Sequence, residues 1–567
     1  MNPECFSCAA SPPMASSDGA SEASPGAWSD SCSVHSVDSS VSQIAESPVN
    51  ALAAECIHGS ALTPHLARQV AKMSIAHPEV LRVTLVHKAL RRCGDAFRCD
   101  GDMHHLSERS EGISRFWSHS WHGSQWQKVL TLMVLYNGLP SMLLGTCAAF
   151  IVMSLFSVGL LPGFVRGVPG AQWFFSTWSL AIGFLVAIAT FFFWKPRQEV
   201  FFDRICISED PKLKALAIFS LAGMLKKSRE MLVLWDPSWS DRLWCLFELA
   251  AFLKSENDQE RQSALIMMPT FLGLCSTAVF LTVSAAMLGV TTLPIGGESA
   301  SLVPFSGLLV FGALVGFFAL MAFRGYFHSV DVLDEKLGSA SFDKVICHCC
   351  ECNHLSETGQ RIECDREVLK ECVTIWFGST TAFEESCRSE LRAIVVKELR
   401  QDVFTRGWAL QVSLPILWAF MDIVATFLSN SHYDLAFDYF ATGLVVWLGC
   451  APILKDVVVF LTRRYCQAQQ CDFFWKLWLE LPMVLLVAGL GGLHALLRIL
   501  LPLGAWSHAL GRSGAFAGSI LILGVLVEVL KSTTGCQVSR SQGPAPASHE
   551  SDDIDETSTR PSHIISL

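Results

Sequence analysis

The sequence predicts an α-helical polytopic membrane protein of about eight spans that also carries an α/β module with a parallel sheet. Three observations lead there. Apolar residues make up 51% of the 567-residue chain and charged residues only 17%, a balance foreign to a soluble domain of this size. Several apolar runs reach the roughly 20 residues a helix needs to cross about 30 Å of hydrocarbon. Beside the first of these runs, short strand-like phrases alternate with helical ones, the order that builds a parallel sheet with covering helices. The formal charge of −10 comes without the basic stripe that a nucleic-acid partner requires, so the partner that composition demands is the lipid bilayer.

Residues 1–50, rich in Ser, Ala, Pro and Gly, hold too few large apolar residues to offset the cost of ordering and are expected to form a disordered tail; 531–567 read the same way. No Lys or Arg precedes Arg68, so no secretory or transit signal is expected and insertion falls to an internal span. Residues 51–111 read as a soluble helical segment, with Val70, Met73, Val80, Val83, Val86 and Leu90 near helical spacing. Spans are expected at 139–161 and 173–194 (a hairpin over 139–194), at 264–290 and 303–323 (a hairpin over 264–323), and at 409–428, 439–461, 481–502 and 513–530 (a membrane region over 409–530). Segments 195–263, 324–408 and 462–480 hold 11, 11 and 3 Lys plus Arg, whereas the four opposite segments, 162–172, 291–302, 429–438 and 503–514, hold only Arg166 and Arg512. The positive-inside rule therefore places both termini in the cytosol. None of the 21 cysteines falls in the opposite segments, which fits thiols kept reduced. Segment 324–408 reads as cytosolic, Cys-rich and helical, with an amphipathic helix over 381–405 leading into the fifth span.

Three phrases flank the first pair of spans: 113–121 (ISRFWSHSW), 200–207 (VFFDRICI) and 231–235 (MLVLW), each a short buried strand ending in polar residues. Helical stretches follow at 125–136, 213–227 and 241–254. Sites in such sheets form at the carboxyl ends of strands, here 118–124, 203–210 and 236–241. The helix after the third strand carries Trp244-Cys245-Leu246-Phe247-Glu248-Leu249. With the strand ending Ser118-His119-Ser120-Trp121 and the Phe202-Asp203 loop, this wording resembles a TIR domain, whose plant immune-receptor members carry a similar Trp-Cys-x-x-Glu-Leu phrase. The likeness covers about 112–128 and 199–255, so the module divides into 112–136 and 199–255 around the first hairpin. The whole is also similar to a group of multi-pass algal membrane proteins that combine this phrase with Cys364-Asp365-Arg366 and Trp376-Phe377-Gly378. Because the third span begins within about ten residues of the Glu248 helix, the sheet is expected to stop short of a full TIR domain.

The resemblance implies a self-associating module and hence a homo-oligomer. It also implies that Glu248 occupies the catalytic position of those TIR domains that hydrolyse NAD, with Ser118, His119, Trp121, Asp203, Arg204 and Trp244 as ligand contacts. A carboxylate suits that reaction, since loss of nicotinamide leaves an oxocarbenium-like sugar. Independently, Glu248 stands alone among ten apolar residues over 243–253, so it needs a partner, a raised pKa or a task. The ordinary alternative is a core stripe of Trp244, Phe247 and Ala251 with Glu248 paired to a nearby Arg or His.

Cys347, Cys349, Cys350, Cys352 and His354 interleave two C-x-x-C pairs and could hold zinc if Cys364, Cys372 or Cys387 completes the set. Reduced cytosolic thiols, a palmitoylated patch and a redox-sensitive loop are the other readings. Asp422, Lys455, Asp456, His494 and Arg498 are ionisable residues within expected spans, where each is costly and a candidate for a permeation path; Asp422 and Lys455 are each placed to snorkel to water. No phosphate loop, H-E-x-x-H or kinase set occurs. The expectation is a membrane-tethered signalling or scaffolding protein, with NAD hydrolysis through Glu248 and transport through the intramembrane residues as the rivals.

Overall fold

A computed structural model describes residues 63–98, 101–168, 171–255, 263–292, 322–354, 364–401, 403–466, 514 and 517–525. Its strands are β1 (Arg82–Leu85), β2 (Glu108–Arg109), β3 (Ile113–His119), β4 (Phe164–Val168), β5 (Ala171–Phe175), β6 (Glu199–Phe201), β7 (Ser228–Trp235) and β8 (Leu265–Pro269). Six of them form one mixed sheet in the order β2-β1-β6-β3-β7-β8, while β4 and β5 pair as a separate hairpin. β6, β3, β7 and β8 run parallel; β1 lies antiparallel on β6 and β2 antiparallel on β1.

The main helices are α1 (Thr63–Ala71), α2 (Gln125–Ser157), α3 (Trp178–Phe193), α4 (Pro211–Phe219), α5 (Leu221–Lys226), α6 (Leu243–Lys254), α7 (Phe271–Thr292), α8 (322–338), α9 (Asp365–Phe377), α10 (Thr380–Ser386), α11 (Arg392–Gln401), α12 (Arg406–Val412), α13 (Leu414–Ser429) and α14 (Tyr433–Phe460). Sequence explains their starts locally. Pro211 opens α4, where no N–H partner is needed, and the Asp210 carboxylate accepts from the Lys212 and Leu213 N–H groups at 3.1 and 3.0 Å.

Alternation along the central strands sends side chains to two cores. Met231, Val233 and Trp235 join Phe116 and Phe201 on one face, under α4, α5 and α6; α1, α8, α9 and α11 pack onto that same core. Leu232 and Leu234 join Trp117, Val200 and Phe202 on the other face, covered by Val129, Leu132 and Met133 from the start of α2. Burial on both faces is what near-continuous apolar parallel strands require.

Among the described residues, three helices, α2, α7 through Gly289, and α14, are long and apolar enough to cross a membrane; α12 and α13, bent by 51°, make a fourth if they act as one span. α2, α3, α7 and α13 pack together around Trp418, which is fully buried. The fit depends on small residues: a Cβ at Gly145 or Gly183 would lie 3.0 or 2.9 Å from the Trp418 ring. Leu143, Phe150 and Ile151 of α2, Leu185 of α3 and Leu281 of α7 point outward and stay exposed.

Several expectations change. The segment 51–111 is not helical throughout, because 82–85 form β1, paired with β2 through 82–83 and with β6 through 84–85; Val80 and Val83 are buried in one core and Val86 in the other rather than on one helix stripe. The run expected as a span from 264 opens with β8, so the sheet has four parallel strands rather than three. A short apolar run has no periodicity to separate a doubly buried strand from a helix. The span expected from 173 opens with the end of β5, and α3 is a 16-residue helix. The expected spans 303–323, 481–502 and 513–530 lie outside the described residues except at 322–323, 514 and 517–525, as do both tails.

Candidate functional site

A crevice opens in a parallel sheet where adjacent strands send their connections to opposite faces. β3 leads to α2 on one face and β7 to α6 on the other, so the loops 120–124 and 236–242 meet at that point beside the Phe202-Asp203 turn.

α6 presents Glu248 to this crevice. The Ser118 hydroxyl donates to Glu248 Oε2 at 2.6 Å, and the Trp239 indole N–H donates to Ser118 Oγ at 3.1 Å. Glu248 is half-buried, with protein packed densely around its carboxyl. Loss of hydration pushes its carboxyl up to about 8; the Ser118 hydrogen bond opposes that shift and the negative charge of Asp203 adds to it.

Asp203 is the second raised carboxyl. Burial pushes it up to about 6, against its hydrogen bonds from the Arg204 N–H at 2.8 Å and the Trp121 indole at 3.2 Å. His119 is buried, packed edge-on against Trp121 with ring centroids 4.5 Å apart. Burial, helped by the charge of Lys128, pushes its imidazole well below the usual range, and its Nε2 has no hydrogen-bond partner among the described residues. Burial thus raises two carboxyls, Glu248 and Asp203, and lowers one imidazole, His119, at the carboxyl end of the sheet.

Ser118 meets Glu248 on the α6 side of the sheet, while His119 and Trp121 meet Asp203 on the α2 side, where Arg204 contributes its backbone N–H; of these the Asp203 charge alone is felt at Glu248. Trp244 does not join them: its indole N–H donates to Asp365 Oδ2 at 3.2 Å and fastens α6 to α9. Two further groups stand here: Asp236 opens the 236–241 strand end that the sequence marks, and Lys128 has no part in the sequence reading. Asp236, at the end of β7, accepts the Ser238 N–H at 2.9 Å on Oδ1, while its buried Oδ2 has no partner among the described residues. Gly123 approaches so closely that a Cβ there would stand 2.1 Å from that oxygen. Lys128 is buried and donates to the carbonyls of Ser120 and, at 3.1 Å, of Gly123. Its signal was available, since it is the only charged residue in the 33-residue α2.

The cysteine run folds into a tight group. Cys349, Cys350, His354 and Cys364 bring their ligating atoms within 4.8 Å of one another. Cys347 Sγ lies 3.2 Å from Cys349 Sγ, and Cys352 Sγ faces His348 Nε2 at 3.4 Å, so Cys352 is turned away from the four. Of the completing residues considered, Cys364 arrives; Cys372 instead donates to the Ala67 carbonyl at 3.3 Å and Cys387 is buried in the core. The described cysteines form no disulfide.

The intramembrane candidates have structural partners. Asp422 does not snorkel: its carboxylate accepts from the Ser176 hydroxyl at 2.8 Å and from the Ser179 and Leu180 N–H groups at 2.8 and 3.0 Å, capping α3 from a neighbouring helix. Lys455 pairs with Asp456 and donates to the Phe404 carbonyl at 3.1 Å. His494 and Arg498 lie outside the described residues. Compared with protein-family models, curated proteins and solved structures, the chain matches none, so its functional reading rests on the crevice and on how that crevice joins the apolar bundle.

Proposed function

We propose that this chain is a polytopic membrane protein of about eight spans with cytosolic termini, whose TIR-like module serves membrane-tethered signalling or scaffolding. One observation carries the reading. α2 starts at Gln125, directly after the crevice loop 120–124, and runs without a break for 33 residues into the apolar bundle. Lys128 in its first turn holds the loop by the carbonyls of Ser120 and Gly123. Beyond its internal Pro140, α2 packs into the bundle with α3, α7 and α13, so the loop and the bundle share one helix. The parallel order β6-β3-β7-β8 and the Glu248 helix support the TIR-like assignment, and with it self-association of the module. The test is the mass of the full chain in mild detergent over a wide concentration range. Dimers or larger species that grow with concentration are expected; a monomer at every concentration overturns the reading.

A second reading, NAD hydrolysis, is favoured by the half-buried Glu248, which accepts from Ser118 and feels the charge of Asp203. Only an ionised Glu248 stabilises a developing oxocarbenium. Nicotinamide release is then expected to rise with pH through about 8 and to vanish in Glu248→Ala. Folded wild-type protein that releases no nicotinamide from NAD at pH 9 rules this reading out.

A further inference from the structure

We propose that Cys349, Cys350, His354 and Cys364 bind one zinc ion, which clamps the start of α6 to α9. Four ligands from one short stretch and the first turn of α9 converge with their donor atoms within 4.8 Å of one another. Tetrahedral zinc with Zn–S bonds of about 2.3 Å sets its sulfurs about 3.8 Å apart. The Cys350 and Cys364 Sγ atoms stand 3.7 Å apart. His354 Nε2 is buried with no hydrogen-bond partner among the described residues, an arrangement that costs free energy unless something else takes its lone pair. Asn353 and His354 both adopt left-handed backbone, φ 52° and 57°, and this reversal brings the imidazole back over the sulfurs. Such strain persists only where surrounding contacts fix it.

The surroundings suit thiolates. The Asp365 N–H donates to Cys349 Sγ at 3.3 Å, the hydrogen bond that metal-bound sulfur commonly accepts. Cys364 is the N-cap of α9, so the positive end of that helix faces the cluster. Three thiolates and Zn²⁺ leave one net negative charge, which the neighbouring Arg366 guanidinium offsets. The other convergent set, Cys347, Cys349 and Asp365, shares Cys349 with this one and offers three donors rather than four.

The knuckle sits where it can hold the crevice. Just before it, the Ile346 N–H donates to the Asp241 carbonyl at 2.7 Å and the Ile346 carbonyl accepts from the Leu243 N–H at 3.0 Å. Just after Cys364, Asp365 takes the Trp244 indole. Both ties grip the first turn of α6, about one turn ahead of Glu248. The inference stands whether or not the crevice binds NAD.

The test is elemental analysis of the full chain purified in detergent without chelator, backed by optical spectra of protein made in cobalt-supplemented medium. One zinc per chain is expected, with cobalt protein showing the intense visible bands of a tetrahedral thiolate site. Cys364→Ser and His354→Ala should surrender metal to a chelator at least about tenfold faster than wild type, whereas Cys372→Ser should match wild type. His354→Cys guards against a loss that merely reflects misfolding, because it retains cobalt and moves the visible bands as a fourth sulfur replaces nitrogen. Fully reduced wild-type protein without zinc, a Cys350–Cys364 disulfide in its place, or His354→Cys bands identical to wild type would each overturn the site.

Discussion

Glu248 shows how one side chain can carry both the fold and the chemistry. Its carboxyl titrates about 8 in the folded chain against an ordinary value of 4.5. Between those values the unfolded chain has released a proton that the folded chain still holds, so stability falls as pH rises through that window. Asp203, raised to about 6 from 3.8, acts in the same direction over a lower and narrower range. Glu248→Gln keeps an acceptor for the Ser118 hydroxyl and cannot ionise. It should flatten the slope and raise stability at pH 8 by on the order of 2 kcal/mol, read as the thermal midpoint in detergent at pH 5.5 against 8. An unchanged slope would mean that Glu248 is ionised throughout. At this scale the sequence is informative where a residue contradicts its neighbours, as Glu248 does in an apolar helix. It is silent where a partner arrives from far along the chain: Trp244 lies one turn before Glu248, yet its indole is claimed by Asp365, 121 positions away.

The helices and strands are held by polar atoms that cross between elements. Asp422 is buried in α13 but caps the first turn of α3, so Asp422→Ala should cost about 1–2 kcal/mol through the lost cap and more through the Ser176 hydroxyl left without its acceptor. A lowered thermal midpoint measures this, and a midpoint equal to wild type would return Asp422 to the permeation candidates. α7 meets α2 at Gly273, where a Cβ would fall 2.2 Å from the Thr131 backbone nitrogen, and Thr131 Oγ1 accepts the Gly273 N–H at 3.0 Å while donating to the Thr270 carbonyl at 2.7 Å. Gly273→Val must part the two helices, at a cost of about 1–3 kcal/mol or more, seen as a midpoint shift larger than that of Gly289→Val, where a Cβ would meet open space. Long apolar helices were legible because nothing else produces such runs. β8 was not, since Leu265–Pro269 reads equally as the start of a span, and β1 was hidden because four residues show too few alternations to stand against helical spacing.

For the whole molecule, α2 links sheet and bundle, beside α3, which leads into β6, and α7, which follows β8 directly. Lys128 is the one charge of α2 and spends it on the loop carbonyls at the crevice mouth. Lys128→Met preserves the stem of the side chain and removes the clamp, so amide exchange over 120–124 should speed several-fold while exchange in β7 stays slow; equal exchange in both proteins would show that the loop is held by other means. The sequence gives the parallel order of β3, β6 and β7 through three strand-helix phrases, and it allows an even number of crossings between β3 and β6. The amphipathic pattern over 381–405 predicts packing against the membrane-proximal domain, and α11 does join that core; that α8 joins it too is not legible, because its partners lie far along the chain, as Tyr326 meets Trp235.

The position of β3 has a consequence for synthesis. It is made early, yet its partners β6 and β7 follow only after α2, the β4–β5 hairpin and α3. Throughout that interval, the strand destined for the middle of the sheet has both edges bare, the condition that invites pairing with a foreign chain. Ribosomes halted before residue 199 would leave products that aggregate through this strand, while those halted after 269 would carry every strand of the sheet. For this chain, the hazard of misassembly is therefore concentrated in one stretch of translation rather than spread along its length.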